Sequence, residues 1–244
     1  MIKTQLLMAA LLGMAGTAQA VENGGFAAGL AGWQSLGDVA VLEQAAWLGT
    51  AHTDYADDFP AAAGAYNLSG LAAAEAGVAG GVEEFAGLAV GALDQGDQAF
   101  EGSVLTQTFT VQAGDVLRFD WSLHSNEGPA GFQDYAFLAL DGTLLSLASA
   151  ADATLAADQF AWQTGRSTFT WQFTGAGTHT LALGVVDVGD YSVSSALWVD
   201  NVVLTPVPEP ETWSMLLIGL GLILMAIRRH HHTHHNRIGD PQNA

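Results

Sequence analysis

The sequence predicts an all-β fold, an antiparallel β-sandwich with one short helix. Three observations carry this. From Ser103 to Leu204 the chain runs as short Thr-, Val- and aromatic-rich stretches broken by Gly/Asp turns, the signature of antiparallel strands and not of alternating α/β units. Two of those stretches alternate with period two: Leu117, Phe119, Trp121 and Leu123 against Arg118, Asp120 and Ser122, then Phe169, Trp171 and Phe173 against Thr168, Thr170 and Gln172. The chain has no cysteine, so its exported form has no disulfide staples and needs a real apolar core.

Taken in order, residues 1–20 read as a secretory signal peptide: Lys3, an apolar stretch Leu6–Met14, and a small-residue cleavage site at Ala18-Gln19-Ala20. The working domain is then Val21–Thr205, long enough for one substantial core. It opens with Asn23-Gly24-Gly25-Phe26 and Gly32-Trp33, which suits a first strand packing its rings inward after a tight turn. This opening resembles the first strand of many jelly-roll and carbohydrate-binding modules. Asp38–Leu42 is a second short strand, and the polar run His52–Asp58 is a loop. Its spacing is not that of a twelve-residue EF-hand, whose glycine and final Glu are missing.

Alanines, Glu83 and Glu84 favour one short helix near 82–93, with Val82, Phe85, Leu88, Ala89 and Ala92 on one face, packed on the sheet or over one end. Strands follow at Ser103–Val111, Val116–Leu123, Tyr135–Leu140 (stopped by Asp141-Gly142), Ser167–Phe173, Thr178–Val186 and Ala196–Leu204.

Pro206, Pro208 and Pro210 then end the domain in a stiff linker, because each lacks a backbone donor and fixes φ. An uncharged run, Met215–Ile227, leads to Arg228-Arg229. As a helix it reaches about 20 Å, against roughly 30 Å of bilayer core. With Trp213 and Ser214 as an interfacial lead-in it is expected to enter a membrane as a single helix, 213–227, though a short one, with the arginines on the cytoplasmic side. Pro208-Glu209-Pro210, the apolar helix and Arg228-Arg229 together resemble the PEP-CTERM sorting signal of Gram-negative bacteria. The resemblance implies recognition by an exosortase, cleavage near Pro-Glu-Pro, and delivery to the cell surface or an exopolysaccharide matrix. Such signals usually stop at the basic cluster; here a His-rich tail, residues 230–244, follows.

The formal charge is −19. Arg118 and Arg166 are the only lysine or arginine residues of the domain, which holds all 25 acids but Glu209, Glu211 and Asp240. Such a surface excludes nucleic acid and polyanionic partners bound by charge attraction. It is compatible with Ca²⁺ outside the cytoplasm, and equally with charge that serves only solubility.

Three clusters of acids sit where strands begin or end: Glu101-Gly102-Ser103; Asn126-Glu127 with Gln133-Asp134-Tyr135; and Asp187-Val188-Gly189-Asp190, between two strands the second of which is expected to end on Asp200-Asn201. Glu127, Asp134, Asp187 and Asp190 are the candidate Ca²⁺ ligands, since a hard cation takes carboxylate and carbonyl oxygens. The competing reading makes them turn caps accepting backbone hydrogen bonds. The ordered string Glu101-Gly102-Ser103, Gln107-Thr108-Phe109, Phe119-Asp120-Trp121, Asn126-Glu127, Asp134–Phe137, Gly184–Asp190 and Leu197–Val202 resembles a recurring exported domain of PEP-CTERM proteins. That likeness implies a β-sandwich surface domain and no assigned reaction.

No Gly-x-Ser-x-Gly elbow, His-Glu-x-x-His or Cys-His pair occurs, so the chain reads as no enzyme. The leading expectation is a structural or adhesive protein of a biofilm or exopolysaccharide layer. The alternative is a carbohydrate-binding module stacking sugars on Trp47, Tyr55 or Tyr191, with Trp121 and Trp171 buried by alternation. A glycan-active enzyme using paired carboxylates comes third.

Overall fold

The computed structural model describes residues 20–128, 131, 133–207, 214, 216–225 and 228. Most of the expected signal peptide, including Ala18, lies outside these residues, as do Pro208, Glu209, Pro210, Arg229 and the His-rich tail. Two compact units divide the chain, Met1–Pro206 and Val207–Ala244.

The first unit is a sandwich of two antiparallel sheets. In chain order its strands are β1 (Gln34–Leu36), β2 (Asp38–Leu42), β3 (Ala45–Gly49), β4 (Ala74–Glu75), β5 (Ala99–Val111), β6 (Val116–Ser125), β7 (Tyr135–Leu140), β8 (Thr143–Ser149), β9 (Leu155–Ala156), β10 (Trp162–Gln163), β11 (Ser167–Gln172), β12 (Gly177–Val188) and β13 (Ser195–Thr205), with one helix, α1 (Val82–Phe85). The six-stranded sheet runs β1-β5-β12-β7-β8, with β4 also on β5. The seven-stranded sheet runs β2-β3-β13-β6-β10-β9, with β11 also on β6. Neighbours are mostly not consecutive in the chain, so long strands from both halves interleave.

The core lies between the sheets. Leu117, Phe119, Trp121 and Leu123 of β6 face Leu105, Phe109, Leu138, Leu181, Leu183 and Val185 across the gap, all buried. A second apolar cluster covers the outer face of the six-stranded sheet. There Ala76, Val82, Leu88 and Leu93 pack on Val104, Phe137, Ala182 and Val186. The central strand β7 is therefore buried on both faces. Gly184 makes room for this: a Cβ there would stand 2.4 Å from the Phe137 ring.

Several expectations need correction. The opening is no strand; residues 22–32 form successive turns, with Asn23 and Phe26 at positive φ. Its rings do point inward, Phe26 and Trp33 packing 5.5 Å apart, and Gln107 holds the segment through Glu22 N–H (2.8 Å) and the carbonyls of Glu22 and Gly32 (both 2.9 Å). The helix expected over 82–93 stops at Phe85. Gly87 and Gly91 take positive φ, and the Glu83 carboxylate accepts the N–H groups of Gly91 (2.7 Å) and Leu93 (2.8 Å), so side chain replaces helix ladder. Trp171 is not buried. It shares the inward face with Phe169, which stacks on Phe119 at 5.0 Å, but β11 is an edge strand that overhangs a cavity, leaving Trp171 41% exposed. Asp200-Asn201 does not end β13, which bulges there and continues to Thr205.

In the second unit residues 214, 216–225 and 228 are helical, and Leu216 through Ile218 and Leu222 through Met225 are exposed. Among the described residues no helix is long and apolar enough to cross a membrane. Of the expected span 213–227, residues 213, 215, 226 and 227 lie outside the described set.

Candidate cation site and aromatic surfaces

Strand pairing brings three of the acids into one row. In β5, Ser103 and Leu105 alternate with the outer-cluster residue Val104, which puts Glu101 on the core-facing side. On β12, Asp187 sits between Val186 and Val188 of the outer cluster and so points inward with Val185. Asp134 immediately precedes Tyr135 of that outer cluster and points the same way as Ala136. β12 lies between β5 and β7, and the pairings Val186↔Gly102 and Val186↔Tyr135 bring Glu101, Asp187 and Asp134 to the same end of the sheet, where β12 and β5 bulge between Val186 and Val188. Carboxylates thus occupy the end of a row filled elsewhere by Leu and Val.

From the facing sheet, Glu127 follows the end of β6, its N–H donating to Ser125 Oγ at 2.9 Å. Ser195 Oγ, opening β13, contacts that same Ser125 hydroxyl (2.9 Å) and donates to Asp134 (2.7 Å); the other Asp134 oxygen takes Val188 N–H at 3.0 Å. Asp57, in the polar loop, accepts His52 N–H at 2.7 Å through one oxygen, and its carbonyl takes Val193 N–H at 2.7 Å.

All five acids are buried. Burial is the main cause that raises the proton affinity of Asp57, Asp134, Asp187 and Glu101. Asp134 is held well above the usual carboxylate range by burial, with Glu127 and Asp190 adding to it. Asp187 is raised by burial, then by Asp134, Asp190, Glu101 and Glu127. Glu101 is pushed up to about 8 by burial, then by Asp57 and Glu75.

The four residues singled out by sequence are therefore neighbours. Asp190 differs from the rest: it is half-buried at the rim, where its carboxylate accepts Ser192 N–H at 2.6 Å within its own turn. Glu101, expected only as part of a strand-end cluster, and Asp57, expected only in the polar loop, join them. Only strand order shows that they belong here. Asp200 lies elsewhere, its carboxylate capping Asn201 N–H while Asn201 reaches Asp120.

The predicted stacking residues stand apart from one another. Tyr55 is 62% exposed and lies over His52, ring centroids 4.3 Å apart. Tyr191 is partly exposed, edge-on to Phe100 at 4.7 Å, with its hydroxyl donating to Glu75 at 3.1 Å. Trp47 is half-buried on the outer face of the seven-stranded sheet, 4.9 Å from His124, in a groove of about 340 Å³ shared with Trp198 and Arg166. Sequence reasoning missed the larger cavity, about 440 Å³, at the sandwich end where β7 and β11 finish. Trp171, Phe173, Leu145 and the His179–Asp141 pair line it.

The PEP-CTERM protein-sorting motif matches residues 206–229. That motif implies an exported protein sorted by an exosortase. No curated protein matches the chain. Among solved structures it is similar to TmCBM61 in complex with β-1,4-galactotriose, at 13% identity and TM-score 0.36, over 78% of this chain and 100% of that one. It is similar also to a CBM4 protein (10% identity, TM-score 0.32, 73% and 97% covered). A third is the K3 cleaved adhesin domain of Lys-gingipain from Porphyromonas gingivalis W83 (14% identity, TM-score 0.32, 78% and 98% covered).

Proposed function

We propose that this chain, which carries a PEP-CTERM sorting motif, is a non-catalytic structural or adhesive protein of the cell surface or an exopolysaccharide matrix. The observation that carries the reading is the join between the two units. The motif begins at residue 206, directly after the last strand of the sandwich ends at Thr205, so the signal follows immediately on the domain it would export. On this reading the apolar helix enters the inner membrane during export, Arg228 and Arg229 hold its cytoplasmic end, and exosortase releases the sandwich near Pro208-Glu209-Pro210. The histidine tail leaves with the helix.

The test is fractionation of the chain expressed in a host with and without its exosortase. Release of a shortened product only where the exosortase is present supports the reading, as does retention of a Pro208→Ala/Pro210→Ala variant in the membrane fraction. Equal release in both hosts overturns it.

A second reading, glycan recognition, is favoured by the exposed Trp171 indole on its 440 Å³ cavity. An open aromatic face beside hydroxyl and carboxylate groups suits a neutral sugar ring, whose apolar face stacks while its hydroxyls hydrogen-bond. The acidic surface disfavours polyanionic glycans.

A further inference from the structure

We infer that the sandwich binds a hard divalent cation of the Ca²⁺ type at the end where β5 and β7 begin and β6 and β12 finish, held by Asp187, Glu101, Asp134 and Glu127. This is independent of how the chain is exported. The first support is the row itself. Glu101 on β5, Asp187 at the bulge of β12 and Asp134 just before β7 come together at one end of the six-stranded sheet, on the side facing the gap. Like charges directly opposite one another across strands repel, and burial removes the water that would screen them.

The second support is an oxygen with nothing to bind. Asp187 is 2% exposed, and its Oδ1 has no hydrogen-bond partner. The Oδ1 of Asp57, beside Glu101, is likewise buried without a partner. Buried polar atoms are satisfied as a rule, so orphaned carboxylate oxygens facing other carboxylates mark a place for a cation.

The third is that the sandwich supplies no cation of its own there. Of its two arginines, Arg118 pairs with Asp120 at 2.9 Å and Arg166 lies over the Trp198 ring. Oxygen donors from carboxylates, with serine hydroxyls and carbonyls nearby, are the ligand set of Ca²⁺ and not of a softer metal. Among the described residues no group of three or more His, Cys, Asp or Glu side chains is placed to hold a metal ion as the chain stands. Binding therefore turns the carboxylates toward one another, which a cation makes favourable and its removal reverses.

The test is thermal unfolding of the full chain in detergent, in EDTA and then with CaCl₂ or MgCl₂. Millimolar Ca²⁺ on a site of ~10 μM affinity raises the midpoint by about 5–10 °C, reversibly. Mg²⁺ gives a smaller shift, because it keeps its waters and demands tighter geometry. Asp187→Asn and Glu101→Gln lose the Ca²⁺ response yet melt in EDTA no lower than the parent chain, since each removes a like charge. Asp200→Asn, outside the row, keeps the full response. A folded parent chain with no Ca²⁺ shift, an equal shift from Mg²⁺, or an Asp187→Asn that keeps the shift overturns the proposal.

Discussion

The guanidinium of Arg166 stands 4.3 Å from the centroid of the Trp198 ring. That contact places a fixed positive charge on the outer face of the seven-stranded sheet, close to His124. His124 packs between Trp47 and Phe160 and shares a hydrogen bond with Ser122 at 3.0 Å. Burial first, and Arg166 second, bring its pKa down to about 4.

Acid lability follows with a definite sign. The unfolded chain binds a proton on His124 below about 6.5 while the folded chain does not until about 4. Stability from this group is therefore full above 6.5 and falls as pH drops from 6.5 toward 4, by up to about 3 kcal/mol. Carboxylates titrate in the same range, so the comparison is between chains. The melting temperature of His124→Gln should decline less than that of the parent between pH 7 and 4.5. Parallel curves would mean that His124 is not held neutral.

Glu83 is a second point where one side chain carries a segment. Its carboxylate satisfies two backbone donors of the 87–93 turns, and Tyr135 Oη donates to Leu93 carbonyl at 2.7 Å from the strand beneath. Replacing Glu83 with Ala leaves the buried Leu93 N–H without its acceptor and hands the exposed Gly91 N–H to water, at a cost of about 1–3 kcal/mol. Glu83→Gln keeps one acceptor oxygen and should lose about half as much. Urea midpoints at constant slope would check both.

This segment also shows where the sequence was legible. Strong period-two alternation placed β6, and Asp141-Gly142 closed β7 at Leu140 as a hairpin turn with both residues at positive φ. The helix expected over 82–93 ends at Phe85, because i, i+3, i+4 spacing reports which residues face the core and not whether the backbone between them is helical. Val82, Leu88 and Leu93 do face the sheet, but through turns. The two-residue strands β4, β9 and β10 carry no readable pattern, and the half-exposed β8 lacks a clean alternation. The acidic row was visible only in pieces. Its residues lie far apart in the chain, and their adjacency depends on the strand order β5-β12-β7, which local pattern does not specify.

Close packing at Gly184 gives a prediction about the central strands. A Cβ at that position meets the Phe137 ring at 2.4 Å and the Ser103 carbonyl at 2.9 Å. Phe137 is fully buried in the outer cluster and cannot swing into solvent. Gly184→Ala should therefore cost about 1–3 kcal/mol by overpacking. Adding Phe137→Leu to it should recover part of that loss, although Phe137→Leu alone is destabilising. Simple additivity of the two would show that the ring is not what the methyl meets.

Trp171 separates packing from recognition. The inner tryptophans, Trp33 and Trp121, belong to the main core, and their truncation should cost about 3–5 kcal/mol. Trp171 sits at the edge over a cavity with much of its ring in solvent, so Trp171→Ala should cost no more than about 1–2 kcal/mol. Its effect on neutral polysaccharide binding should be much larger if the cavity takes a sugar, because a stacked ring is the main apolar contact such a ligand would make. Affinity electrophoresis through gels containing a panel of neutral polysaccharides measures this directly. Retardation of the parent chain that disappears in Trp171→Ala, with melting temperature nearly kept, assigns the cavity to glycan. Retardation unchanged in that variant moves the search to the Trp47 groove, where Arg166 and Gln163 offer donors on the outer face of the seven-stranded sheet.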